Sequence, residues 1–259
     1  MKPTVCCVML VNGRESMVRL AITSFMAQTY GPKRLIILDT GTPPTDLDRY
    51  AIIWEESAWH PAWAGKTIGW LRNMANRIAW GTGICDLIAH FDSDDFSHPR
   101  RLEEQVALLE ASGKMCVGYR ELLFWDTRPV GWPKGCGERA YADEELVSRP
   151  QAWIYRNHQA NWAAGASLLY RRELWEQQPF DAAPHEDQRW MMTPAVSREC
   201  LSVSAISTRA GRDCPGESYM VCGIHGSNSE AYDRAVMLRN PDVWRRAPEF
   251  DSYCERAMK

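Results

Sequence analysis

Three apolar runs decide most of what this chain can become: Val5-Cys6-Cys7-Val8-Met9-Leu10-Val11, Leu35-Ile36-Ile37-Leu38 and the stretch from Ile84 to Phe91. A strand with one wet face alternates apolar and polar residues, whereas a run with little alternation is buried on both faces, as in a parallel sheet covered by helices. Between the first two runs, Met17, Leu20, Ala21, Ser24 and Phe25 keep one face at helical spacing until Tyr30-Gly31-Pro32 ends it. This is a βαβ unit, for which a right-handed crossover is expected. The expected class is α/β, a three-layer sandwich with a mostly parallel central sheet.

Ile52-Ile53-Trp54 reads as a third, short strand. The spacing of Ile68, Leu71, Met74, Ala75 and Ile78 predicts a helix from about Thr67 to Trp80, with Arg72 and Asn73 beside its buried face. A second amphipathic helix, Arg100 to Ser112, runs through Leu102, Val106 and Leu109 to Gly113. Beyond Tyr119 the pattern loosens. Asp126 to Pro150 reads as a functional loop, Ala166 to Tyr170, Leu201 to Ile206 and Tyr219 to Ile224 as strands, Arg172 to Gln177 as a helix, and Pro184 to Trp190 as the start of another. Arg209 to Gly216 is a candidate lid, with Arg209 and Arg212 as candidate diphosphate contacts. One domain is expected over 1–240, and 241–259 reads as a tail.

The 259 residues hold no apolar run long enough to span a bilayer, and the N-terminus has no signal-peptide pattern, so a cytoplasmic protein without a transmembrane segment is expected. A net charge of −3 argues against a basic nucleic-acid footprint. The nine cysteines are odd in number and mostly in apolar surroundings, which suits free thiols better than a zinc set of Cys214, Cys222 and His225. Of the twelve tryptophans, Trp59, Trp63, Trp125 and Trp132 look like loop aromatics.

Where the third apolar run ends, Asp92, Asp94 and Asp95 fall within four positions. Like charges this close repel, so either they cap the following helix or a cation sits among them. Hard oxygen ligands select a divalent ion such as Mn²⁺ or Mg²⁺ and leave coordination positions open for substrate phosphates. An EF-hand is excluded, because Phe96 and Ser97 fill loop positions that need a ligand and a glycine.

The order of these pieces resembles the family-2-like glycosyltransferases of the GT-A fold, over roughly Thr4 to Asn228. The resemblance rests on Asn12 after the first strand and on the helix ending in Gln28-Thr29-Tyr30. It also rests on the turn Asp39-Thr40-Gly41, on Arg72-Asn73, on Asp92-Ser93-Asp94-Asp95 with Pro99-Arg100-Arg101-Leu102, and on His185-Glu186-Asp187. It implies a nucleotide-binding half over 1–119 and an acceptor half over 120–240. Asn12, Asp39, Arg72 and Asp92 would meet the nucleotide, Asp94 and Asp95 a metal bridging the diphosphate, and Asp187 would be the base, supported by Glu186. Thr40 stands where the family has a second acid. His225, beside a Gly-rich turn, is a candidate third metal ligand or phosphate contact.

The expected reaction is inverting, metal-dependent transfer of a sugar from a nucleotide-diphosphate donor, a UDP-sugar first, to an acceptor hydroxyl. The acceptor stays open among a glycan, a lipid-linked sugar, a small molecule and a modified nucleobase. A nucleotidyltransferase would want a Gly-rich phosphate loop that Val11-Asn12-Gly13-Arg14-Glu15 lacks. A non-catalytic sugar-nucleotide-binding protein is the other alternative.

Overall fold

The computed structural model describes residues 1–41, 56–59, 63, 65–128, 150–206, 217–225 and 234–259. In chain order these form β1 Val5–Val11, α1 Glu15–Met26, β2 Lys33–Asp39, β3 Glu56–Trp59, α2 Ile68–Gly81, β4 Leu87–His90, β5 Phe96–Ser97, α3 Arg101–Ser112 and β6 Cys116–Asp126. There follow β7 Gln151–Arg156, a 3₁₀ turn Gly165–Ser167, β8 Leu169–Arg171, α4 Arg172–Gln177, α5 Glu186–Met192, α6 Pro194–Glu199, β9 Cys200–Ser204, β10 Met220–Ile224, α7 Arg234–Arg239, β11 Trp244–Arg246 and α8 Asp251–Ala257.

The described strands join in one sheet ordered β11-β7-β6-β8-β4-β1-β2-β3, with β9 and β10 also pairing with β6, and β5 with β10. It is parallel from β4 through β1 and β2 to β3. Beyond β4 it is mixed, since β8 runs antiparallel to β4 and β6, and β7 to β6.

Alternate residues of the buried strands feed two apolar layers, as double-faced burial requires. Cys6, Val8, Ile36 and Leu38 pack with Leu71, Ala75 and Ala79 of α2 on one face. Val5, Cys7, Met9, Leu35 and Ile37 pack with Val18, Ala21 and Phe25 of α1 and Leu102, Val106 and Leu109 of α3 on the other. The strand ends between these layers carry the polar residues.

Ile52-Ile53-Trp54, Trp132, the Arg209–Gly216 segment and Cys214 lie outside the described residues. Trp125, read from sequence as a loop aromatic, belongs to β6 and is buried, because that strand continues past Tyr119 with apolar neighbours on both faces. The stretch read as a tail is part of the sheet: β11 pairs antiparallel with β7, and Ala247, Phe250 and Cys254 are buried against Leu123 and Ile154.

Candidate active site

The three aspartates leave β4 as its backbone stops pairing, and they do not cap α3. That helix has Arg100 at its N-cap with no side-chain cap. Its first-turn amide Leu102 N donates instead to Oε1 of Gln28, just past the end of α1, at 3.1 Å, while Gln28 Nε2 donates to His98 O at 2.8 Å. The carboxylates are thereby free for other work.

Each finds a different partner. Asp92 accepts from both Nη atoms of Arg72, at 3.2 and 3.4 Å. Burial pushes its carboxyl up, but the charge and hydrogen bonds of Arg72 outweigh that and hold it below the usual range. Asp94 Oδ2 lies 2.9 Å from Arg14 Nη1 and 2.9 Å from His225 Nε2. Asp95 is 5 % exposed and accepts from Gly223 N at 3.1 Å. Burial, then the charges of Asp94 and Asp92, raise its pKa well above the ordinary value.

A divalent cation fits part of this set. Neighbouring ligands of a small octahedral ion are about 2.9 Å apart, the observed separation of Asp94 Oδ2 and His225 Nε2. Among the described residues no three His, Cys, Asp or Glu side chains gather around one point. Asp94 and His225 are the two residues that could hold such an ion, and a magnesium-type ion commonly takes its remaining positions from phosphate and water. Asp95, expected with them, turns toward Gly223.

Glu186 and Asp187 reach the same place through two glycines. A Cβ on Gly165 would lie 1.9 Å from Asp187 Oδ2 and 2.5 Å from its Cβ, so Asp187 packs directly on that α-carbon. One on Gly69, in the first turn of α2, would meet Asp181 O at 1.8 Å and Glu186 Cβ at 3.0 Å. Glu186 is buried and accepts from Arg72 Nε at 3.0 Å, so one guanidinium holds Asp92 and Glu186 together. Burial opposes the Arg72 charge, and Asp92 and Glu186 more than offset it. Arg72, expected at the nucleotide, is therefore engaged within the protein.

Behind these groups, His90 Nδ1 donates to Gly165 O at 2.6 Å and Nε2 faces the Tyr170 hydroxyl at 3.2 Å. The carbonyl can only accept, so Nδ1 carries a proton; burial, then the charge of Arg72, lowers the His90 pKa well below 6.5 and so favours the neutral ring. Arg101, fully buried, donates to His90 O and Ala166 O at 2.9 and 3.1 Å, tying the end of β4 to the 3₁₀ turn that carries Gly165.

Asp92, Asp94, Asp95, Arg72, Glu186 and Asp187 line one cavity of about 640 Å³. Asn12 and Asp39 stand at the neighbouring ends of β1 and β2, outside its lining, where Asp39 accepts from Gly41 N at 2.8 Å. Arg14, His90 and the glycines carry no site signal in the sequence alone, whereas Arg101 belongs to the Pro99-Arg100-Arg101-Leu102 stretch noted there. Two of the participants are strained: among the described residues the non-glycine positions with positive φ are Arg14 at 62° and His185 at 57°. One leads into the Asp94 contact and the other immediately precedes Glu186, and such backbone strain clusters at functional sites.

The sequence model for glycosyl transferase family 2 matches residues 6–177. No curated protein matches the sequence significantly. Among solved structures, S. aureus TarS 1–349 in complex with UDP-GlcNAc has a TM-score of 0.53 at 14% identity, covering 93% of this chain and 67% of that one. The mannosyltransferase PcManGT from Pyrobaculum calidifontis in complex with GDP-Man and Mn²⁺ has a TM-score of 0.57 at 13% identity, covering 100% of this chain and 70% of that one. This chain spans 60% of another TarS 1–349 structure and 37% of a longer TarS chain. At such identities the likeness is one of fold.

Proposed function

This chain belongs to glycosyl transferase family 2 and has the GT-A fold, and on that premise we propose that it transfers a sugar from a nucleotide-diphosphate donor to an acceptor hydroxyl with inversion. The observation that carries this reading is that Asp94 and, from α5, Asp187 line one and the same cavity. A carboxylate there accepts the acceptor's hydroxyl proton as the hydroxyl oxygen attacks the anomeric carbon, worth about 10²–10⁴-fold in rate. One base and in-line displacement give inversion.

When bound, Mn²⁺ or Mg²⁺ on Asp94 and His225 would neutralise the leaving diphosphate as a Lewis acid. Arg14, 2.9 Å from Asp94, adds a fixed positive charge beside it. Arg72 holds Asp92 and Glu186, which keeps α5 and therefore Asp187 at a fixed distance from the donor side. Asn12 and Asp39 meet the nucleoside, a UDP-sugar being the first donor to try. The seven cysteines described are free and buried, which supports a reducing, cytoplasmic setting. No helix among the described residues is long and apolar enough to cross a membrane.

The test is incubation with UDP- and GDP-sugars and Mn²⁺. Release of free sugar with nucleoside diphosphate supports the transferase; pyrophosphate formation, or tight binding without turnover, overturns it.

A further inference from the structure

The cavity has a second wall that the donor chemistry leaves unused. Phe124, Tyr155, Trp162 and Trp244 line it together with the carboxylates. Their rings form one cluster: Tyr155 and Trp244 have centroids 4.9 Å apart at 56°, Phe124 and Trp244 5.1 Å at 67°, and Tyr155 and Trp162 5.8 Å at 58°. Phe124 is buried at the back, whereas Tyr155, Trp162 and Trp244 are half-buried and keep ring surface open.

We propose that this aromatic wall is the acceptor subsite and that it takes a neutral pyranose ring, the acceptor being a glycoside. The inference rests on the transferase reading above and adds the substrate class. Sugar rings carry an apolar C–H face that packs on aromatic surface, while their hydroxyls need the polar groups at the pocket's other end. Trp162 lies three residues before Gly165, on whose α-carbon Asp187 packs, so the platform and the base are tied by a short segment.

Charge argues against a nucleic-acid acceptor. Five carboxylates line the cavity, and the arginines beside the aromatic strands are already paired, Arg156 with Glu121, Arg245 with Glu249 and Arg246 with Asp251. A phosphate backbone would meet repulsion there, and these arginines are already offset by carboxylates rather than set to neutralise phosphates.

The experiment uses p-nitrophenyl glycosides as acceptors with the donor found by hydrolysis, comparing wild type with Trp162→Ala, Trp244→Ala and Trp244→Phe. Since Trp244 also packs β11 on β7, the phenylalanine variant separates loss of stacking from loss of folding. Glycoside binding is followed in parallel by quenching of tryptophan fluorescence, which needs no turnover. Expected are a glycoside KM raised at least tenfold in both alanine variants and largely kept in Trp244→Phe. An unchanged glycoside KM, no fluorescence response to any glycoside, or transfer to a hydroxymethylated oligonucleotide alone would each overturn the proposal. Absent donor hydrolysis with an intact fluorescence response would instead count against the transferase reading and leave the sugar subsite supported.

Discussion

Arg72 and Glu186 are 114 residues apart in sequence, yet Nε of one lies 3.0 Å from Oε1 of the other, with both side chains buried. The same guanidinium reaches Asp92, so Arg72 of α2 joins the segment after β4 to the start of α5. Removing it strands buried charge. Arg72→Ala is expected to lower stability by about 3–5 kcal/mol, read from urea unfolding, and Arg72→Lys to recover little, because a point charge cannot span two carboxylates. A loss under about 1 kcal/mol would mean that the carboxylates find other partners.

Gly165→Ala tests the seat of Asp187. The new methyl would stand 1.9 Å from Asp187 Oδ2, so the carboxylate must move. Misplacement of about 1 Å costs up to roughly a hundredfold in turnover. The expectation is at least a tenfold fall in kcat with nucleotide affinity by calorimetry unchanged. Full turnover would remove Asp187 from the reaction.

The neighbours Asp94 and Asp95 should separate cleanly. Asp94→Asn loses the carboxylate facing His225, whereas Asp95→Asn keeps an oxygen to accept from Gly223 N. Mn²⁺-dependent nucleotide affinity is expected to fall at least tenfold in the first and by less than about threefold in the second. The reverse ranking would make Asp95 the ligand.

His90 sets a pH dependence. Its folded pKa lies below the ordinary 6.5, so the unfolded chain takes up the proton more readily and stability falls as pH drops below that value. The contribution is complete above about pH 6.5. His90→Gln, which hydrogen-bonds without titrating, should flatten this part of the curve of melting temperature against pH. An unaltered slope would assign the acid loss to other groups.

The parallel half of the sheet was legible because β1 and β2 are buried on both faces and α2 and α3 keep a helical apolar stripe. β11 was not: Trp244-Arg245-Arg246 is three residues long with two charges, and only its pairing with β7 makes it a strand. The acidic cluster announced itself by charge density. The groups that orient it did not, since Gly165 and Gly69 matter through the atom they lack, and Arg14 through a contact with Asp94 eighty positions away.

On the proposed mechanism Asp94 and His225 bind a cation which holds a diphosphate in the cavity that Asp187 lines. Its most direct test is a crystal of the protein grown with Mn²⁺ and a nucleoside diphosphate, with anomalous scattering used to locate the metal. The expected result is one manganese peak in bonding contact with Asp94 and His225, carrying the diphosphate. A nucleotide bound elsewhere, or a manganese peak away from both side chains while Arg14 keeps its hold on Asp94, would contradict it.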